Sequence, residues 1–241
     1  MDAAQYLDDL RRRSAALISG ASTDLAASVP SCPGWTVTDL VAHIGGVWGW
    51  AAGTIRAKAR SEFRPSAQGL DDTQLIEWAT EQSIQVITAL ESVDPDSESW
   101  TFGPPRSALF WFRRQALETA VHAWDVDQAV ATPESIDSGL ARDGIDEFLA
   151  VMLPRAIDHN PGIWRGESFH LHRTDGTGEW LVHLGPGSSV TVELAHGKGD
   201  VAIRGTASSL YLWMLNRLPS DSVEIFGDRA LADRWTDEIA I

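Results

Sequence analysis

Two histidines and a glutamate set the chemistry open to this chain. Glu118 and His122 stand four apart in RRQALETAVHAWDVDQAV. On a helix that spacing puts them one turn apart on a single face. His43 lies far upstream in GWTVTDLVAHIGGVWGW, a second segment of strongly helical character. Two imidazoles and one carboxylate, with a fourth position left for water or substrate, form the donor set of a catalytic zinc rather than a structural one. Side chains from two neighbouring helices of a bundle can converge on one ion. A plainer reading of the same residues stands beside this one. A Glu-x3-His pair on an exposed helix face is commonly a weak side-chain contact. A histidine among Leu40, Val41, Ile44 and Val47 can be a core residue bonded to a backbone carbonyl.

The apolar pattern supplies the elements that must position these donors. Residues 2–20 predict an amphipathic helix, with Tyr6, Leu10 and Leu17 on one side and Arg11, Arg12 and Arg13 on the other. After the breaker run at 30–34, Thr36 opens a helix reaching about residue 60, with Asp39 as the acidic partner of a capping-box variant. A third helix is expected over 71–92, with Leu75, Trp78, Ile84 and Ile87 in the core, a fourth over 107–130 and a fifth over 137–156. On the fourth, Trp111, Gln115, Glu118, His122, Asp125 and Ala129 share one face. Leu117, Val121 and Trp124 form an apolar stripe about 100° away. A carboxylate and an imidazole beside that stripe tuck against the bundle. Burying them unpaired costs several kcal/mol, which a divalent cation offsets.

Beyond the break at 159–162 the period changes to an alternation typical of half-buried antiparallel strands. Strands are expected at 168–173, 179–184 and 190–194, with turns at 175–178 and 185–188. A short strand at 201–203, a helix at 207–217, a strand at 223–226 and a helix at 229–238 complete the chain. The fold class is thus a helical bundle over 1–158 followed by a small α+β domain over 163–241, divided near residue 160.

Composition narrows the partners. The 241 residues carry a formal net charge of −15, which argues against a nucleic-acid backbone or an anionic membrane as partner. A small anionic substrate is still compatible, because one arginine can hold a carboxylate against a negative background. A single cysteine, Cys32, precludes an internal disulfide. The first residues lack a signal-peptide pattern, and no apolar run approaches the ~18 residues of a membrane span, so a cytoplasmic protein, monomeric or weakly dimeric, is expected. Eleven tryptophans are present; Trp35, Trp48, Trp50, Trp111 and Trp124 fall near the candidate ligands and should be core or pocket wall.

Other residues carry weaker signals. Asp125, three positions after His122, can orient an imidazole, pair with Arg114 or face solvent. Cys32 sits near a helix start, where a thiolate is favoured. Thr36 to His43 already spans about 10 Å at ~1.5 Å per residue, so Cys32 is not expected as a fourth ligand. His170 and His172 form an H-x-H on one strand face, opposite Phe169 and Leu171, and are expected to face solvent. The glycine pairs at 176–178 and 197–199 are turns without phosphate-loop spacing.

The run VPSCPGWTVTDLVAHIGGV, together with ETAVHAWDV, resembles the mycothiol-dependent maleylpyruvate isomerase family, and the resemblance covers essentially the whole chain. It implies a DinB-like four-helix bundle followed by a small α/β module similar to sterol carrier proteins. Carried over by residue, it implies zinc ligands at His43, Glu118 and His122 and a catalytic arginine at Arg217, in LWMLNRLPSD. It also implies mycothiol, a low-molecular-weight thiol, as cosubstrate. Such a thiol, deprotonated at the metal, adds to an electrophilic carbon of a small molecule; loss or retention of the adduct gives isomerisation or S-transfer. The residues themselves leave two rivals open: a zinc hydrolase with Asp125 as base, and a non-enzymatic module whose C-terminal domain holds a hydrophobic ligand. Arg217 likewise has a second reading, a cation at the end of helix 207–217 interacting with its dipole.

Overall fold

Three of the first four helices begin where the sequence provides a reciprocal cap. In the computed structural model, which describes residues 1–159 and 162–239, α1 (Ala3–Ala21) starts from Asp2 and Gln5, α2 (Val37–Ala57) from Thr36 and Asp39, and α3 (Asp72–Glu91) from Asp71 and Gln74. Each pair satisfies N–H groups that the first helical turn leaves without partners. The fourth helix, α4 (Leu109–Val130), has no side-chain cap and is fixed by burial instead. Residues 115–117 and 119–126 are all buried, so α4 is covered nearly all round, as a central helix is. Helices α1 and α2 pack against it, and α3 packs against α2 and α1. These make the expected all-helical, DinB-like first part.

Two details fix how α2 lies among its neighbours. Gly45 and Gly49, one turn apart, face α3; a Cβ at Gly45 would come within 2.4 Å of the Trp78 ring, and one at Gly49 within 2.3 Å of Gln82 Oε1. On the other side, buried Trp48 Nε1 donates to Thr119 Oγ1 of α4 at 2.9 Å, locking the two helices in register beside Glu118. The expected core of α3 is corrected in part. Leu75 is buried, but Ile84 is 52% exposed, and the buried row continues through Ala79, Gln82, Ser83, Val86, Ala89 and Leu90. Trp78 and Gln82 are the residues that fill the glycine face of α2, and Ile84 falls on the opposite side of α3, turned away from it.

The chain divides into two compact units, Met1–Glu134 and Ser135–Ile241, well before the division expected near residue 160. The change of period marks where helix gives way to strand, not where one core ends. Helix α5 (Ser138–Glu147) belongs with the second unit, because it packs against α7 (Ala207–Met214). A Cβ at Gly144 would meet the Tyr211 ring at 2.6 Å. The single helix expected over 137–156 is interrupted by a π turn, Phe148–Met152, and resumes as α6 (Leu153–His159). Asn160 and Pro161, within the expected break, lie outside the described residues.

The sheet of the second unit has five strands: β1 (Glu167–Arg173), β2 (Glu179–Gly185), β3 (Ser189–Glu193), β4 (Val201–Gly205) and β5 (Glu224–Gly227), in the order β3-β2-β1-β4-β5. Pairing is antiparallel except between β1 and β4. One face is apolar: Phe169 and Leu171 of β1 register with Val182 and Trp180 of β2 and with Val201 and Ile203 of β4. Trp235 of α8 (Arg229–Glu238) covers this face, edge-on to Phe169 at 4.9 Å and stacked on Trp213 of α7 at 5.6 Å. This is the mixed α+β part the sequence called for. No helix among the described residues is long and apolar enough to cross a membrane.

Candidate metal centre

His43 projects from the middle of α2, and Glu118 and His122 from adjacent turns of α4. The register lock at Trp48 and Thr119 brings the three together, and one donor atom from each lies within 4.8 Å of the others. Glu118 Oε1 is 3.8 Å from His43 Nε2 and 3.5 Å from His122 Nε2. The two imidazole centroids are 5.2 Å apart, and Trp35 stands 5.2 Å from the His43 ring as a wall. The plainer reading of the pair as a solvated helix contact fails on burial, since His122 is only 7% exposed.

The residues around Glu118 and His122 shift the protonation of both. Burial alone would push the Glu118 carboxyl up, but the Arg114 guanidinium and hydrogen bonds from His122 and His43 hold it well below the usual carboxylate range. Arg114 Nη2 donates to Glu118 Oε2, leaving Oε1 toward the two imidazoles. Burial lowers the His122 pKa, yet Asp125 and Glu118 on either side carry it above the ordinary imidazole value. Asp125 is fully buried, and its Oδ2 accepts from His122 Nδ1 at 3.0 Å while Oδ1 accepts from Ser31 Oγ at 2.6 Å. Of the roles open to Asp125 in the sequence, the structure thus gives it the orienting one. An ionised carboxylate, an imidazole fixed through its far nitrogen and a second imidazole opposite are a donor set that fits one divalent cation.

A cleft of about 510 Å³ opens beside His43, lined by Gly46, Arg64, Pro65, Gln68 and Leu75 among others. Arg64, from the segment between α2 and α3, places a guanidinium there, 3.5 Å from the His43 carbonyl oxygen. Arg64 and Ser31 were not legible as site residues, because both arrive from loops distant in sequence from the donors they neighbour. The Arg114–Glu118 pair was legible in principle, as an i, i+4 ion pair. Cys32 Sγ lies 4.0 Å from Asp125 Oδ2, beside the orienting carboxylate. Trp48, Trp111 and Trp124 are buried as expected, while Trp35 and Trp50 are partly exposed.

Two expectations in the second unit change. Helix α7 stops at Met214, before the expected end at 217, because Asn216 adopts a left-handed conformation (φ 60°). Asn216 N–H bonds Trp213 O at 3.0 Å and Arg217 N–H bonds Leu212 O at 2.8 Å, the Schellman pattern that closes a helix. Arg217 therefore follows the helix rather than ending it, and its Nη1 donates to Leu215 O at 2.8 Å. His170 and His172 do share the sheet face opposite Phe169 and Leu171, but His170 is 6% exposed and does not face solvent. The segment after β3 folds back over this face and brings His196 against Glu179 of β2, which His170 also contacts.

Comparison with known proteins accords with this arrangement. The family model for the mycothiol maleylpyruvate isomerase N-terminal domain matches residues 7–127, and that for the C-terminal domain of the same family matches 139–234. Two solved structures of a mycothiol-dependent maleylpyruvate isomerase share the fold: a histidine-to-alanine mutant at TM-score 0.61 and a second structure of the isomerase at 0.60. Each is 17% identical to this chain, and each alignment covers 93% of both chains. A comparison with curated protein sequences finds no match. Since the two domain models match in order and take in nearly all of both units, with His43, Glu118 and His122 inside the first, the chain belongs to the mycothiol-dependent maleylpyruvate isomerase family.

Proposed function

We propose that His43, Glu118 and His122 hold a divalent cation, zinc by donor type, and that the protein is an enzyme using mycothiol as thiol cosubstrate against an electrophilic small molecule. The observation that carries this reading is the convergence of three donor atoms within 4.8 Å, one of them oriented by a buried carboxylate. When bound, the cation supplies the Lewis acidity that keeps a thiol deprotonated at neutral pH. The protein's own groups do the rest. Asp125 holds His122 with Nε2 turned to the site, Arg114 keeps Glu118 ionised and aimed, and Trp35 walls the His43 side.

Addition of a thiolate to the double bond of an unsaturated acid makes that bond single. Rotation and expulsion of the thiol then give the isomer, whereas keeping the adduct gives S-transfer. The family and the two similar isomerases support thiol chemistry of this class over the hydrolase and the binding-module readings. Arg64, in the cleft beside His43, is placed to take an anionic group of the incoming molecule. Arg217 is assigned a like role on the family resemblance, with a guanidinium suited to bidentate carboxylate recognition.

Turnover of an electrophile panel, maleylpyruvate included, with and without mycothiol and with and without chelator, tests the proposal. Activity should need both the thiol and the metal, and the visible bands of the cobalt-substituted protein should change on adding thiol. Hydrolysis of an ester or amide without thiol, with cobalt bands indifferent to it, would overturn the reading.

A further inference from the structure

The open face of the sheet carries a second cluster of donors, remote in sequence from the first. His170 and His172 alternate onto this face of β1, and Glu179 stands directly opposite His172 on β2. His196 comes from the segment joining β3 to β4. That segment runs hard against the sheet: a Cβ at Gly199 would lie 2.9 Å from His170 N and Val201 O and 3.0 Å from Ser168 O. Only glycine fits so close to three backbone groups, so the path that carries His196 over the sheet is written into the sequence.

The donors meet at one carboxylate. Glu179 Oε2 lies 2.9 Å from His170 Nε2 and 2.6 Å from His196 Nδ1, and Oε1 lies 3.3 Å from His172 Nδ1. All four residues can place one ligand atom within 4.8 Å of the others. A tetrahedral zinc with bonds of about 2.0–2.1 Å sets its ligand atoms about 3.3 Å apart, so the spacing seen needs only small side-chain adjustment to take an ion. The simpler reading is a carboxylate accepting hydrogen bonds from three imidazoles. That arrangement needs all three rings in the tautomer that turns an N–H to Glu179, whereas the alternative tautomers turn three lone pairs to the same point, as a metal requires.

We propose that His170, His172, Glu179 and His196 form a second divalent-cation site, of zinc type, in the C-terminal unit. With four protein ligands it is a closed, structural site, unlike the three-ligand centre in the helical unit. Bound metal would staple the segment bearing His196 to β1 and β2. The proposal does not rest on the function of the first centre.

The test uses the full-length, tag-free protein and zinc chloride. In the variant His43→Ala/Glu118→Ala/His122→Ala the first centre is gone, and equilibrium dialysis with elemental analysis should still find about one zinc per chain. Zinc should also raise its thermal midpoint. Adding His172→Ala and His196→Ala should bring zinc to background and abolish the shift. Cobalt held here should show four-coordinate visible bands that added thiol leaves unchanged. Should the triple variant not fold, His172→Ala/His196→Ala in the otherwise native chain should lower zinc by about one per chain. A folded triple variant without stoichiometric zinc would overturn the site. Equal zinc in native and His172→Ala/His196→Ala proteins would do so too.

Discussion

Asp125 Oδ2 lies 3.0 Å from His122 Nδ1, and this contact decides which nitrogen of His122 faces Glu118. A neutral ring that donates through Nδ1 must present Nε2 as its lone pair, so the buried aspartate sets both the tautomer and the rotation of the proposed ligand.

Replacing Asp125 with asparagine should keep the ring in place but weaken its basicity. Zinc affinity is expected to drop by about 10–100-fold, the range for such orienting partners, with the fold retained. Competition against a fluorescent chelator measures it. Native affinity in Asp125→Asn would show that the contact is structural only.

Metal uptake should depend on pH through His122. Asp125 and Glu118 outweigh the effect of burial and hold its pKa above the ordinary imidazole value, so the proton competes with metal to a higher pH than on a solvated histidine. Uptake is expected to fall as pH drops through that raised pKa, and Asp125→Asn should move the fall to lower pH. In the metal-free chain the sign for stability is opposite to that for uptake. Stabilisation from protonated His122 is full below its unfolded pKa of about 6.5 and is lost as pH rises through the folded value. Zinc titrations at stepped pH, with denaturant melts of stripped protein beside them, check both halves.

Arg217→Ala separates two roles. As an anchor for an anionic group, its loss should lower kcat/KM by about tenfold for each 1.4 kcal/mol of lost interaction, leaving zinc content intact. As a cap on the α7 carboxyl end through Leu215 O, its loss should cost about 0.3–1 kcal/mol of stability and leave turnover alone. Unchanged kinetics on a carboxylate-bearing substrate, with a lowered melting point, would assign it to the helix.

Asp200 offers an acid-stability test in the second unit. It accepts from Ser168 Oγ at 2.7 Å and Ser168 N at 2.8 Å, and these bonds hold its pKa below the ordinary value. A carboxylate with depressed folded pKa stabilises above its unfolded value, and that contribution vanishes as pH falls through the folded one. Asp200→Asn should therefore cost under about 1 kcal/mol near neutrality, since the site is exposed, and progressively less toward low pH. Urea midpoints of the two proteins should converge in acid; a constant gap would point to packing instead.

Much of this was legible from spacing alone. The capping box of Thr36 and Asp39, the shared face of Glu118 and His122, and the alternation of β1 follow local rules that a single segment obeys. What escaped depended on partners distant in sequence. Ile84 looks like a core residue until Trp78 and Gln82 are seen to fill the glycine face of α2, which turns Ile84 outward. His170 reads as exposed until the segment at Gly199 covers it. The packing of α5 depends on a distant partner too: it has the pattern of a bundle helix, and its contact with α7, Tyr211 included, ties it to the second unit.

The near-complete burial of α4 has an evolutionary consequence. Two of the three proposed metal donors share a helix with the core, so most substitutions beside them trade chemistry against folding. The segment between α2 and α3 is less constrained: Pro65 packs on the glycines of α2, but Phe63 is 74% exposed, and Arg64 reaches the cleft from outside the bundle. A lineage, or an engineer, seeking a new electrophile has this segment to vary while the donors stay fixed. Diversity among close relatives should therefore concentrate there, and a library confined to residues 61–70 should change substrate preference while sparing metal content.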